Sequence, residues 1–279
     1  MTCPHVRLLA CQIEIPVMTT AKERDLHLIA SAEKIKAALL ETPADLVVLP
    51  ELSSMDYSRA AFDNLDALAE PHHGPSFQSW RQVAQDYNCH VAYSFARRDD
   101  NGTYISLAVV NPAGTLVGYY DKLHLAQYGA SMEKDYFTRG NHLFTFMLNG
   151  LKFAPIICYD IRIPELTRSL VLDHGVDVIL HSGAYYRDES FATWHDFSTT
   201  RSMENQVFFL SLNRAGEYYG NSRLCYPWMD ENRMPVLFAQ HNEQFVLLEI
   251  NKVEVKAVRE AYSFLKDRLP DYTIPCQMA

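Results

Sequence analysis

The stretch FAPIICYDIRIPEL, residues 153–166, changes character at Cys158. Before it runs a continuous apolar segment of strand length. After it come Tyr159, Asp160 and Arg162, and then PELTRSLVLDHG (164–175), which has helical spacing and ends on a glycine. A buried strand that feeds directly into a helix is the building unit of an α/β chain. Cys158 stands at the joint. A cysteine is a small hydrophobe and is at home in a core. A strand-to-helix turn is also where many α/β enzymes hold a nucleophile.

Working outward, the same alternation recurs. VRLLACQIEI (6–15) reads as a first strand, and 19–42 as an amphipathic helix with Leu26, Ile29, Ala30, Ala32, Ile35, Leu39 and Leu40 as its apolar set. ADLVVLPE (44–51) is an apolar strand that stops at Pro50-Glu51. A helix over 74–88 leads into the strand CHVAYSFARR (89–98). DDNG (99–102) and PAGT (112–115) are hairpin signals around TYISLAVVN and LVGYYDK. Past the opening stretch, VDVILHSGA (176–184) is another buried strand, 190–206 a helix, and VFFLSLN (207–213) a strand. Shorter strands and turns follow, then the terminal segment 253–269. This is an α/β chain with mixed sheets, with no internal repeat and no linker composition, so one domain over 1–279 is the economical reading.

With 48% hydrophobic residues, the 279-residue chain can bury a large core. Its 34 acidic against 25 basic residues, with no basic run, exclude a nucleic-acid interface as the primary role. The apolar runs are too short to span a bilayer, and the first residues lack the basic and apolar regions of a signal peptide. Six scattered cysteines, Cys3, Cys11, Cys89, Cys158, Cys225 and Cys276, form no CxxC pair and no zinc-finger spacing. The expectation is a cytoplasmic protein with free thiols and no metal or organic cofactor.

Glu51, Lys122 and Cys158 each end an apolar strand. Catalytic groups of α/β sheets gather beyond the carboxyl ends of strands, so these side chains can meet. Singly, the glutamate is a polar strand end and the lysine a solvated charge. Together they supply a thiol nucleophile, a general base, and a fixed cation that would lower the thiol pKa and hold an oxyanion. The backbone N–H of Tyr159 would be a second oxyanion donor.

Three blocks, LVVLPELSSMDY, YYDKLHL and IICYDIRIPEL, in this order, resemble the glutamate, lysine and cysteine blocks of the nitrilase superfamily, the carbon–nitrogen hydrolases. A fourth, MEKDYFTRG, resembles the stretch that carries a second glutamate, here Glu133, which the resemblance places beside the lysine. WHDFSTTRSMENQVFFLSLNRAG resembles the block in which Arg201 and Glu204 would tie a helix to the sheet. The chain departs from the pattern at Arg139-Gly140 and at WMDENR (228–233), both in expected loops. The resemblance implies a four-layer αββα sandwich and a homodimer or higher homo-oligomer.

Within that superfamily, CYDIRIPEL is more similar to the amidase branches, including ω-amidases, than to nitrilases. The implied reaction is hydrolysis of a small linear amide through a thioester, releasing ammonia and an acid. N-carbamoyl hydrolysis and nitrile hydrolysis are the rival chemistries, and a catalytically weak binding protein of the same fold is the non-enzymatic one. Tyr57, Tyr159, Arg162, Ala184 and Tyr185 are the candidate substrate contacts. Arg162 could meet a substrate carboxylate or form an ion pair with Asp160 or Glu165. His181, unusual for the resemblance, reads as a satisfied core histidine.

Overall fold

The computed structural model describes residues 4–129, 131–273 and 275–276. Strands β1 (His5–Gln12), β2 (Leu46–Val48), β3 (His90–Asp99), β4 (Gly102–Val110) and β5 (Leu116–Asp121) lie in one sheet. A second sheet holds β6 (Phe146–Leu148), β7 (Leu151–Ile157), β8 (Val178–Ser182), β9 (Phe208–Leu212), β10 (Arg223–Cys225) and β11 (Val236–Leu237). The late strand β12 (Gln244–Asn251) returns to the first sheet beside β1, giving the orders β12-β1-β2-β3-β4-β5 and β11-β10-β9-β8-β7-β6. Each sheet has a parallel centre, β1-β2-β3 and β7-β8-β9, with antiparallel flanks. Strands buried on both faces explain the unbroken apolar runs at the centre of each sheet.

Helices α1 (Ala21–Glu41), α2 (Arg59–Phe62), α3 (Leu65–Leu68) and α4 (Pro75–Asp86) belong to the first half. There α1 packs on α4, and α4 on β3. Helices α5 (Pro164–Leu172) and α6 (Phe191–Asn205) cover the second sheet, and α7 (Lys252–Ala261) and α8 (Phe264–Asp267) close the chain. Both sheets contribute to one buried apolar cluster. The Ser182 hydroxyl at the end of β8 donates to the Leu49 carbonyl beyond β2 at 2.8 Å, stitching the strand ends of the two sheets together. The architecture is the expected αββα sandwich.

The details differ from the sequence reading in instructive ways. Helix α1 begins at a capping box, in which Thr20 and Glu23 each satisfy the other's backbone N–H. Its buried stripe is Leu28, Ala32, Ile35 and Leu39, joined by Arg24, His27 and Ser31. Leu26, Ile29, Ala30 and Leu40, expected in the apolar set, face outward. The buried four follow steps of four and three residues, which a straight helix keeps on one face, and the four exposed ones lie off that line. The terminal segment breaks at Tyr262-Ser263 into α7 and α8. Cys3 lies outside the described residues. Cys11, Cys89, Cys158 and Cys225 are free thiols, as expected. No helix among the described residues is long and apolar enough to cross a membrane.

Candidate active site

Residues from four places in the chain meet at the strand ends. Glu51 follows β2, Lys122 follows β5, and Cys158 follows β7. Glu133 opens a short 3₁₀ turn, Glu133–Asp135. Lys122 Nζ donates to Glu51 Oε1 at 2.8 Å and to Glu133 Oε1 at 2.6 Å, and all three side chains are fully buried. Glu133 Oε1 also accepts from the Tyr57 hydroxyl at 2.7 Å, and its Oε2 from the Ala126 N–H at 2.8 Å. An ammonium has three N–H donors. Two go to carboxylates, which leaves one for a ligand.

The lysine's position is fixed by its backbone. Lys122 N–H donates to the Ile105 carbonyl, and its carbonyl accepts from Gly140 N–H at 2.9 Å. Gly140 approaches so closely that a Cβ there would lie 2.1 Å from the Asp121 carbonyl oxygen. The Arg139-Gly140 departure thus keeps the residue that the close approach requires.

The loop carrying Glu51 is gripped from beneath. Arg214, itself buried, donates to the carbonyls of Glu51 (3.1 Å), Leu52 (3.4 Å) and Met55 (3.3 Å) and pairs with Asp56. Leu52 adopts the left-handed region, φ +46°, and its N–H is held by the Ser94 hydroxyl. Sequence reasoning missed Arg214. Its signal lay in NRAG, just after β9, a buried arginine at a strand end.

Cys158 begins a 3₁₀ turn, Cys158–Arg162, with φ +44°. A side chain other than glycine is strained there, and such strain collects at functional sites. Asp160, fully buried, braces the turn by accepting from Ile157 N–H, the Tyr120 hydroxyl and His124 N–H. Arg201 Nε donates to the Ile161 carbonyl and its Nη1 pairs with Glu204 at 2.9 Å, so this pair ties α6 to the nucleophile turn.

The electrostatics correct one expectation. The Cys158 thiol is not held as a thiolate. Burial pushes its pKa well up, and the Glu51 charge pushes the same way, outweighing Lys122. Glu51 is itself raised, first by burial, with Glu133 adding to the rise and Lys122 opposing it. Lys122 stays charged despite burial because Glu133 and Glu51 hold its pKa well up. The resting cluster is a neutral thiol beside a carboxylate of enhanced basicity. Glu51 Oε2 accepts no hydrogen bond of ordinary length, and the Glu51 carboxylate interacts with that thiol. The Ala184 N–H also points to the sulfur.

A cavity of about 230 Å³ opens onto Cys158, below the range of drug-sized sites. Cys158 is 9% exposed and forms part of the wall of that cavity. Tyr57, Ala184 and Tyr185 line it as expected, and Tyr128, Tyr186, Tyr219, Asp188 and Ser190 were not foreseen. The Tyr159 ring lies outside the cavity lining and packs on Tyr128 at 5.5 Å, so the group expected to act there is its backbone N–H. One expectation changes. Arg162 does not line the cavity. It forms no ion pair with Asp160 or Glu165, and lies over the rings of Tyr128 and Phe197 with Nε and Nη2 unpartnered. His181 is buried with both ring nitrogens bonded, a satisfied core histidine. Among the described residues no group of three or more His, Cys, Asp or Glu side chains is placed to hold a metal ion.

A model of the carbon–nitrogen hydrolase family matches residues 7–258. The 2-oxoglutaramate amidase of Bacillus subtilis (strain 168) is 33% identical over 231 residues, which cover 80% of this chain and 85% of that protein. Omega-amidase YafV of Escherichia coli (strain K12) is 26% identical, over 81% of this chain and 85% of its own. Nit3 of Saccharomyces cerevisiae, a nitrilase-superfamily structure, shares the fold with a TM-score of 0.80 at 22% identity, over 95% of this chain and 96% of that one.

Proposed function

This chain belongs to the carbon–nitrogen hydrolase family, and we propose that it is an ω-amidase-like hydrolase of a small linear amide in which Cys158, Glu51, Lys122 and Glu133 carry the chemistry. The observation behind this reading is the buried Glu51–Lys122–Glu133 cluster set against a strained cysteine at the floor of a small cavity.

In this reading Glu51 takes the Cys158 proton as sulfur attacks the amide carbon, so no thiolate need exist beforehand. The carbonyl π pair moves to oxygen. The free N–H of Lys122 and the Tyr159 N–H hold that oxyanion, the latter at the start of the 3₁₀ turn, where no preceding helical carbonyl accepts it. Glu51 returns the proton to the departing nitrogen, ammonia leaves, and a thioester remains. Water then attacks, its proton passing through Glu51 to the sulfur as the acid is released. Glu133 anchors the lysine.

Arg162, with two unpartnered guanidinium nitrogens behind Tyr128, supports a substrate bearing a carboxylate. A second reading, a neutral linear amide, is favoured by the wall itself, whose charged member among the described lining residues is Asp188. The test is ammonia release from short dicarboxylate monoamides, neutral amides, nitriles and N-carbamoyl amino acids, by the protein and by Cys158→Ala. Release of ammonia from monoamides that disappears in the variant supports the reading, and activity that survives in Cys158→Ala sinks it. Assembly as a homo-oligomer belongs to the same proposal, supported by exposed Phe264, Leu269 and Tyr272 near the C-terminal end. So does residence in the reducing cytoplasm, supported by the free thiols.

A further inference from the structure

The carbonyl of Cys158 accepts two buried hydrogen bonds. His181 Nε2 lies 3.0 Å away and the Tyr185 hydroxyl 2.9 Å away. His181 comes from β8, between the nucleophile strand β7 and β9, and is paired in register with Ser211. Its Nδ1 lies 2.6 Å from the Ser211 hydroxyl. A carbonyl only accepts, so Nε2 carries the proton. Burial holds the ring neutral, at a pKa of about 4, so Nδ1 accepts from Ser211. One tautomer satisfies every partner.

The C=O of Cys158 and the N–H of Tyr159 belong to one planar trans peptide unit and point in opposite directions. Whatever fixes the carbonyl therefore aims the N–H. We infer that His181 and Tyr185 form a two-donor clamp on the Cys158 carbonyl that aims the Tyr159 N–H at the oxyanion. They are positioning residues, and the clamp also holds the strained φ of the nucleophile. The inference rests on the hydrolase reading above for what that N–H is aimed at.

The test separates oxyanion binding from thiol chemistry. Butyraldehyde captures the cysteine reversibly. The S–C bond forms, the carbonyl π pair goes to oxygen, the thiol proton passes to Glu51, and the charged oxygen occupies the oxyanion position without turnover. Iodoacetamide alkylates the same sulfur by displacing iodide from its methylene carbon and needs no oxyanion donor. Alkylation of the Cys158 peptide is followed by mass spectrometry, with and without butyraldehyde, in wild type, Tyr185→Phe, His181→Phe and His181→Gln. In both phenylalanine variants, butyraldehyde protection, measured against each variant's own uninhibited alkylation rate, should weaken at least tenfold, and in His181→Phe that rate should stay within twofold. His181→Gln, which keeps a donor, should recover part of the protection. Where an amide substrate is turned over, kcat should fall at least tenfold and KM within threefold.

Unchanged protection overturns the inference, and so does a parallel loss of alkylation in His181→Phe, which would mean that the sulfur itself has moved. Absence of protection in wild type overturns it too. Tyr185→Phe removes one oxygen and keeps the ring, so it serves if His181→Phe does not fold. No ammonia from any amide, with aldehyde capture intact and clamp-dependent, would count against the amidase reading and leave the clamp standing.

Discussion

Glu133→Gln changes one atom type in a fully buried site, and its consequences can be worked out bond by bond. Glu133 receives three donors: Lys122 Nζ and the Tyr57 hydroxyl at Oε1, and Ala126 N–H at Oε2. Glutamine has one acceptor oxygen and one NH₂. With the oxygen toward Lys122 and Tyr57, its NH₂ meets the Ala126 N–H donor to donor. With the orientation reversed, the NH₂ meets an ammonium. The first is the lesser penalty, and it loses a hydrogen bond to a charged group, about 1.5–3 kcal/mol. The gross attraction between charges 2.6 Å apart is about 6 kcal/mol at an effective dielectric of 20. Much of that is offset because the variant no longer buries a carboxylate. The net expectation is a loss of about 3 kcal/mol in urea unfolding.

The catalytic consequence is more diagnostic. With one carboxylate gone the ammonium swings toward Glu51, and the oxyanion loses an aligned donor, at about 10²–10³ in kcat. The Glu133 charge also helps to raise Glu51. Removing it lowers the pKa of the base, so the acid limb of kcat/KM should move to lower pH. That limb belongs to the coupled cluster rather than to one residue, and the sign holds for the cluster as a whole. The assay is a pH–rate profile of wild type and variant with the preferred amide. An acid limb that stays in place or moves up, or a kcat within threefold of wild type, would refute the reasoning.

His181 is held at about 4 against an ordinary value near 6.5, so between those values the unfolded chain binds a proton that the folded chain excludes. Its contribution to stability is complete above about pH 6.5 and is lost as pH falls toward 4, by up to about 3 kcal/mol. Urea unfolding at pH 7 and 4.5 should show a drop steeper in wild type than in His181→Phe by about 2 kcal/mol, and parallel drops would refute it. Gly140→Ala places a methyl against the Asp121 carbonyl and displaces Lys122, so kcat should fall about tenfold with a stability loss of about 1–3 kcal/mol. Arg214→Met strands three carbonyls and Asp56, and unfolding should become easier by about 3–5 kcal/mol, with kcat reduced in the protein that stays folded. Cys158→Gly and Cys158→Ala should both be inactive, and the glycine variant should be the more stable by about 1 kcal/mol, because φ +44° strains any residue with a Cβ.

How far the sequence could be read follows from what kind of contact each residue makes. Glu51, Lys122 and Cys158 were legible because each is a reactive residue type at the end of a strand that an apolar run marks out, whereas Glu133, which opens a 3₁₀ turn, was reached only through the resemblance of MEKDYFTRG. The central strands were legible for a similar reason, since burial on both faces leaves no polar alternation. Strand β12 was not recognised because it is an edge strand whose residues are mostly half-exposed, so its pattern resembles that of a loop-rich tail. Arg214, His181 and Asp160 were missed as supports for a different reason. Each supports the site through backbone groups: Arg214 through three carbonyls, His181 through one, and Asp160 through two N–H groups. A carbonyl or an N–H is present at nearly every position and leaves no trace in residue identity. Such a contact can be inferred only once the chain path is known.

The same distinction explains the inverted prediction about the thiol. From sequence, a lysine near a cysteine implies a lowered pKa. In the fold that lysine is already shared by two carboxylates, one of which faces the sulfur, and burial of the thiol outweighs the lysine. The cluster of Lys122 with two glutamates carries a net negative charge before the cysteine ionises, so a thiolate would be added to an already negative site. A proton transferred to Glu51 during attack adds no charge to the site, whereas prior ionisation of Cys158 to solvent does. The arrangement therefore favours a base-assisted thiol over a standing thiolate, and the raised Glu51 is the residue that makes this route possible.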